Sequence, residues 1–207
     1  MRIITWNIWH GGGKRTDAII ERIAGFDPDI AVLTEFRNNR WGEKLVAGLK
    51  ESGLNHVYTH DTEPKLNSVM LASREPFDLV PIEIPSAEAH RCIVARFQDV
   101  NLIGVYFSHG KKKIPLYETL ENVVPDLIES PTLLIGDFNT GRHYLDENKA
   151  TFKCVDRFEN LETMGLTDAW RSRNPDKRES TWYSSAGNGF RLDHAFACPA
   201  FNERIQS

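Results

Sequence analysis

Short apolar runs that stop at an oxygen-bearing polar residue recur along this chain, and they restrict its fold more than any other feature. Residues 30–33 are bounded by Asp27-Pro28-Asp29 before and Glu35 after, and residues 132–135 run into Gly136-Asp137-Phe138-Asn139. A brief run that is apolar without alternation suits a strand covered on both faces. The opening segment, 2–7, is β-branched and aromatic, carries Asn7 at its end and stops at Gly11-Gly12-Gly13. Helical spacing separates these runs. Thr16 is the expected N-cap before Ile19, Ile20 and Ile23, with Gly25 as the stop signal. Further helices are predicted over 41–50, 115–128 and 155–164, with Pro125 marking a break in the second of these. Turn-punctuated strands are expected at 68–72, 79–84, 92–97 and 102–107, and a last one at 192–198. Mixed order of this kind predicts a layered α/β fold with antiparallel pairs in its middle.

The chain has 207 residues, enough for one domain with a substantial core. Its formal net charge of −4 argues against nucleic-acid binding by bulk positive charge, though it leaves room for a local basic groove. The three cysteines, Cys92, Cys154 and Cys198, are odd in number and lack CxxC spacing, so neither a disulfide framework nor a zinc site is expected. Met1-Arg2 leads directly into a strand-like segment without a signal-type apolar region, and no apolar run is long enough to span a bilayer. A reduced, cytoplasmic location is the expectation.

Asn7, Glu35, Asp137, Asn139 and Asp193 all lie at, or just beyond, the expected strands. Strand ends in layered sheets face a common edge where ligands collect. Oxygen donors without cysteine are what a hard divalent cation, Mg²⁺ or Mn²⁺, requires. Each residue also has an ordinary reading. Asp137 and Asn139 could form an Asx-turn, Asn7 a turn before the glycines, Glu35 a solvated loop, and Asp193 an ion pair with Arg191.

Taken together the segments resemble the endonuclease/exonuclease/phosphatase superfamily, and most closely its exonuclease III and apurinic endonuclease branch. Thr5-Trp6-Asn7-Ile8 is similar to the family's opening strand, and Asp29-Ile30-Ala31-Val32-Leu33-Thr34-Glu35 to its second motif. Gly136-Asp137-Phe138-Asn139 resembles its Gly-Asp-x-Asn motif. Gly165 to Arg171, Ser180 to Tyr183 and Arg191-Leu192-Asp193 follow in the family's order. The resemblance implies a four-layered α/β sandwich with two mixed sheets. It implies Glu35 and Asn7 at the metal, Asp137 on the attacking water and Asn139 on the phosphate. Tyr106 is implied as a phosphate contact, with His109 as the alternative at that position. Trp182, Phe190, Arg191 and Leu192 are implied as substrate-binding residues, and Asp193 as the partner of a catalytic histidine. The cofactor is Mg²⁺ or Mn²⁺, and the partner is nucleic acid, DNA in the first instance, acted on by a monomer.

The sequence departs from the family's pattern in two places. Trp9 stands where related enzymes often carry a second Asn or Asp. A Ser-Asp-His segment, which the family places beyond its Arg-x-Asp motif, is not found before Ser207. The expectation is a single domain over 1–207 that is C-terminally incomplete, without the family's last strand and its histidine. His194 follows Asp193 directly and is not a substitute by position. Three functions remain open at this point: a DNA phosphodiesterase, a family member acting on RNA, inositol phosphates or phospholipid head groups, and an impaired binding domain or fragment. Lys111-Lys112-Lys113 reads as a solvated turn placed where it could meet a phosphate backbone.

Overall fold

The computed structural model describes residues 1–206. Its strands are β1 (Ile3–Asn7), β2 (Ile30–Phe36), β3 (His56–Thr59), β4 (Ser68–Ser73), β5 (Asp78–Leu79), β6 (Cys92–Phe97), β7 (Val100–Tyr106), β8 (Thr132–Asp137), β9 (Thr167–Asp168), β10 (Trp182–Tyr183), β11 (Gly189–Phe190) and β12 (Asp193–Ala197). Its helices are α1 (Thr16–Phe26), α2 (Arg40–Glu51), α3 (Ile114–Leu127), α4 (Val155–Thr163) and α5 (Pro199–Asn202).

Two mixed sheets carry the molecule. One has the order β1-β2-β4-β3, the other β5-β6-β7-β8-β12-β9, and β10-β11 is a separate hairpin. The alternation of side chains along a strand explains the layering. In β2, Ile30 and Val32 enter the core shared with the second sheet, while Ala31 and Leu33 face a core formed with Ile19 and Ile23 of α1 and Leu45 and Leu49 of α2. On the far side, Leu116, Leu120 and Val124 of α3 and Phe158 and Leu161 of α4 join the larger core. Helices, sheet, sheet and helices make the expected four layers.

The structure redraws several predicted elements. Thr16 is the first helical residue rather than the cap: its hydroxyl donates to the Gly13 carbonyl at 2.7 Å. Helix α1 ends one residue beyond Gly25, with Asp27 at φ 48° as its left-handed C-cap. Pro125 lies within the last turn of α3 and the helix runs on to Leu127, because a proline there removes one N–H bond close to the end. Only Asp78 and Leu79 pair in the region expected to hold a long strand. Pro81 and Pro85 deny the following residues a continuous ladder. The short strands β3, β9 and the hairpin carry no strong apolar run and were not anticipated.

The cysteines are free, with Cys92 and Cys198 buried. Among the described residues, no helix is long and apolar enough to cross a membrane. β1 lies at the outer side of its sheet, and all five of its residues are half-buried.

Candidate active site

The site lies where the two sheets meet at their strand ends. On the second sheet, Tyr106 of β7 and Asp193 of β12 are both in register with Asp137 of β8. Partners in register point to the same face, so three adjacent strands present a phenol and two carboxylates in a row. His194, the next residue on β12, points to the other face. It is 3 % exposed, stands edge-on to the Phe138 and Phe158 rings, and has Nε2 2.9 Å from the Thr140 carbonyl.

Gly136 permits this row. An added Cβ there would stand 2.0 Å from the Val105 carbonyl oxygen, so only glycine lets β8 lie against β7 one residue before Asp137. Beyond it the chain turns sharply. Asn139 has φ 49°, and its backbone N–H donates to Asp137 Oδ1 at 2.9 Å. The Asx-turn and the site are therefore the same feature. Asn139 Nδ2 donates to the Phe107 carbonyl at 2.8 Å. Beneath the turn, Lys113 is fully buried and its Nζ donates to the Phe138 and Asn139 carbonyls at 2.8 and 2.6 Å. The third lysine of the run is thus an internal brace rather than a solvated cation. Burial pushes its ammonium down to about 8.

On the first sheet, a bulge supplies Glu35. The β2–β4 register shifts between Thr34 and Phe36, and Glu35 is the unpaired residue at φ 60°. A bulge re-aims a side chain, and holding a non-glycine residue at positive φ costs about 1–3 kcal/mol. The carboxylate is surrounded by donors. Oε1 accepts from Asn7 Nδ2 at 3.0 Å, while Oε2 accepts from the His10 N–H at 2.7 Å and from Asn67 Nδ2 at 3.0 Å. Asn7 Nδ2 also reaches Asp137 Oδ2 at 2.8 Å and so ties the two sheets together.

Burial raises the Asp137 carboxyl well above the usual carboxylate range, reinforced by the Asp193 charge and opposed by the Asn7 and Asn139 hydrogen bonds. Asp193 is also raised, first by burial, and its Oδ1 is buried without a partner among the described residues. Burial likewise raises the Tyr106 phenol, whose Oη accepts from Asn67 at 3.4 Å.

Glu35, Asp137 and Asp193 offer hard oxygen donors, and Asp193 Oδ1 is buried without a partner among the described residues. Among the described residues, no group of three or more His, Cys, Asp or Glu side chains forms a ready metal cage. The set suits an ion such as Mg²⁺, which keeps several waters and takes one or two protein carboxylates. Asn7 Oδ1 accepts from the Trp9 backbone N–H at 2.9 Å, and Nδ2 faces the carboxylates. Its amide nitrogen bridges Glu35 and Asp137.

A cleft of about 760 Å³ opens on Asn7, Asp137 and Asp193 and is walled by Trp182 and Leu192. Phe190 stands behind Trp182, with ring centroids 5.5 Å apart, and in turn meets Phe152 at 5.8 Å. Among the expected site residues, His109 is exposed just after β7 and hydrogen-bonds to none of the carboxylates, but lies near enough to Glu35 to feel its charge. Arg191 is 3 % exposed, with Nε 2.7 Å from Asp146 Oδ1 and Nη2 2.6 Å from Asp168 Oδ2, and is thereby withdrawn from the cleft. Arg171 Nη2 completes the cluster at 2.7 Å from Asp146. Asn67 and His10 were not singled out in the sequence. A polar residue just before an apolar strand was the only signal for Asn67.

Three solved structures superpose over the whole chain. The 3′-5′ exonuclease NExo from Neisseria meningitidis has a TM-score of 0.86 at 26% identity, with 100% of this chain and 90% of that chain covered. A 3′ phosphatase structure of NExo from Neisseria, bound to a product DNA hairpin, gives the same four values. An AP endonuclease from Archaeoglobus fulgidus has a TM-score of 0.85 at 21% identity over the same shares, a likeness of fold. The sequence profile of the Endonuclease/Exonuclease/phosphatase family matches residues 4–205. With that match, and with its motifs gathered at one end of a two-sheet sandwich, the chain belongs to the endonuclease/exonuclease/phosphatase family.

Proposed function

We propose that this chain is a divalent-metal-dependent phosphodiesterase that hydrolyses DNA phosphodiester bonds in the manner of an exonuclease III or AP-endonuclease-like enzyme. The observation that carries the reading is the row Tyr106, Asp137, Asp193, joined to Glu35 of the other sheet through Asn7. Support for DNA comes from the two NExo structures, one of which holds a product DNA hairpin.

Glu35 would hold Mg²⁺ or Mn²⁺, with Asn7 fixing its carboxylate. When bound, such an ion polarises phosphoryl oxygens and stabilises the leaving oxyanion. Asp137 would orient and deprotonate the attacking water. The Tyr106 hydroxyl would donate to a non-bridging phosphate oxygen, and Asn139 would flank the phosphate on the Asp137 side. Trp182 and Leu192 would line the sugar side of the cleft. The chain would act as a monomer in the cytoplasm.

Binding without turnover is a second reading, favoured by the unpaired Asp193 Oδ1, which no histidine of the described residues contacts. Loss of a general acid–base group typically reduces rate by about 10²–10⁴. One assay separates the readings: Mg²⁺-dependent nicking of an abasic-site duplex, with Asp137→Asn as control. Nicking by the wild type alone supports the phosphodiesterase. Equal activity in both proteins sinks it, and salt-dependent binding without nicking supports the second reading.

A further inference from the structure

Large hydrophobic side chains are costly to leave in water, and among the described residues three of them stand around the same cleft. Trp9 is 64% exposed, Trp182 50% and Tyr183 65%, and all three line the cavity that holds Asn7, Asp137 and Asp193. Trp182 and Tyr183 belong to the β10–β11 hairpin, and Trp9 belongs to the loop after β1. Phe190 backs Trp182, yet half or more of each of the three residues stays exposed.

Trp9 is fixed where it stands. Its N–H donates to Asn7 Oδ1, and Arg15 Nη2 donates to the Trp9 and Ile8 carbonyls at 2.9 and 3.1 Å. The Arg15 guanidinium carbon lies 5.1 Å from the Trp9 ring centroid, a cation–π contact that orients the indole. The neighbouring Gly11 N–H donates to the Glu35 carbonyl at 2.8 Å. Trp9 and His10 are both held in the left-handed region, at φ 54° and 53°. The indole is thus a flat apolar surface carried on backbone that is anchored to Asn7, a residue that contacts both Glu35 and Asp137.

We infer that Trp9 is a stacking platform for an unpaired nucleobase next to the scissile phosphate, with Trp182 and Tyr183 on the facing wall. The inference rests on the phosphodiesterase reading and deepens it by naming what the cleft selects. The chemistry of the cleft argues for this occupant. A phosphate at the carboxylate row, a cation at Arg15 and an open indole close by match a nucleotide, whose π-face lies one sugar from its phosphate. A base inside a duplex has both faces covered by its neighbours, whereas a frayed terminal or single-stranded base has a face free to stack. The preferred substrate is therefore a strand end or a single-stranded stretch.

The test compares two fluorescein-labelled single strands of equal length and charge, one with bases and one built of base-free tetrahydrofuran units. Binding is read by anisotropy without divalent metal, and cleavage separately with Mg²⁺. The wild type is expected to favour the strand with bases on the order of ten-fold or more, Trp9→Ala to lose most of that preference, and Trp9→Phe to keep most of it. Thermal melting checks that both variants fold. An undiminished preference in folded Trp9→Ala overturns the inference, as does a wild type that binds both strands equally. If that wild type still cleaves DNA, the phosphodiesterase reading stands alone. A wild type that neither binds nor cleaves either strand overturns the inference, and nicking of the abasic-site duplex then decides the phosphodiesterase reading by itself.

Discussion

Replacing Arg191 with Met tests whether its place is in the core or on the substrate. The guanidinium is 3 % exposed and is shared by two buried carboxylates, with bonds of 2.7 and 3.3 Å to Asp146 and 2.6 and 3.2 Å to Asp168. Methionine retains much of the apolar stem but leaves Asp146 and Asp168 facing each other, with Arg171 and His194 as the remaining partners. Removing one member of a buried ion pair typically costs about 3–5 kcal/mol, a large share of the roughly 5–15 kcal/mol that holds a domain together. For a chain of this size, each kcal/mol lowers the melting midpoint by about 2–4 °C, so a fall of about 6–20 °C is expected. Urea unfolding followed by circular dichroism measures the same loss at fixed temperature. The pH dependence supplies an independent check. Burial alone would raise both carboxyls, yet the Arg191 hydrogen bonds and the charges of Arg191 and His194 bring both below their ordinary range. A carboxylate depressed in the folded state contributes stability that is complete above its unfolded value of about 3.9 and is lost as pH falls below it. The wild type should show that acid limb, and Arg191→Met should show a shallower one. A stability loss under about 1 kcal/mol, with substrate affinity sharply reduced, would refute the buried-network argument and return Arg191 to the cleft.

Two further substitutions probe the Gly-Asp-Phe-Asn turn. Gly136→Ala sets a Cβ 2.0 Å from a backbone oxygen of β7 and must separate the strands. A loss above about 3 kcal/mol is expected by chemical denaturation, beyond the range typical of single substitutions; a near-native midpoint would show that the parallel β7–β8 pair yields easily. Lys113→Met removes the buried brace while leaving the chain apolar there. In the wild type the ammonium is lowered from 10.5 to about 8, so the unfolded chain holds more protons between those values and stability should rise with pH across that window. The rise, of order 3 kcal/mol at most, should be absent in Lys113→Met, and its persistence would locate the alkaline limb in another group.

Much of the site was legible because its signals are local. An apolar run followed by a polar residue reports a strand and its end, so Asn7, Glu35, Asp137 and Asn139 could be identified without knowing how the strands pair. The resemblance of the ordered motifs to a known family implied the four-layered architecture. Folding determined which charges are solvated. Lys113 follows two lysines that look alike, but the turn into α3 carries it inward beneath two carbonyls. Arg191 precedes Asp193 by only two residues, and the register of β12 sends Asp193 to the cleft while Arg191 meets two aspartates brought from distant segments. Sequence determines where strands end because that depends on adjacent residues. Burial of a charge depends on which distant groups arrive to receive it, and only the tertiary structure decides that.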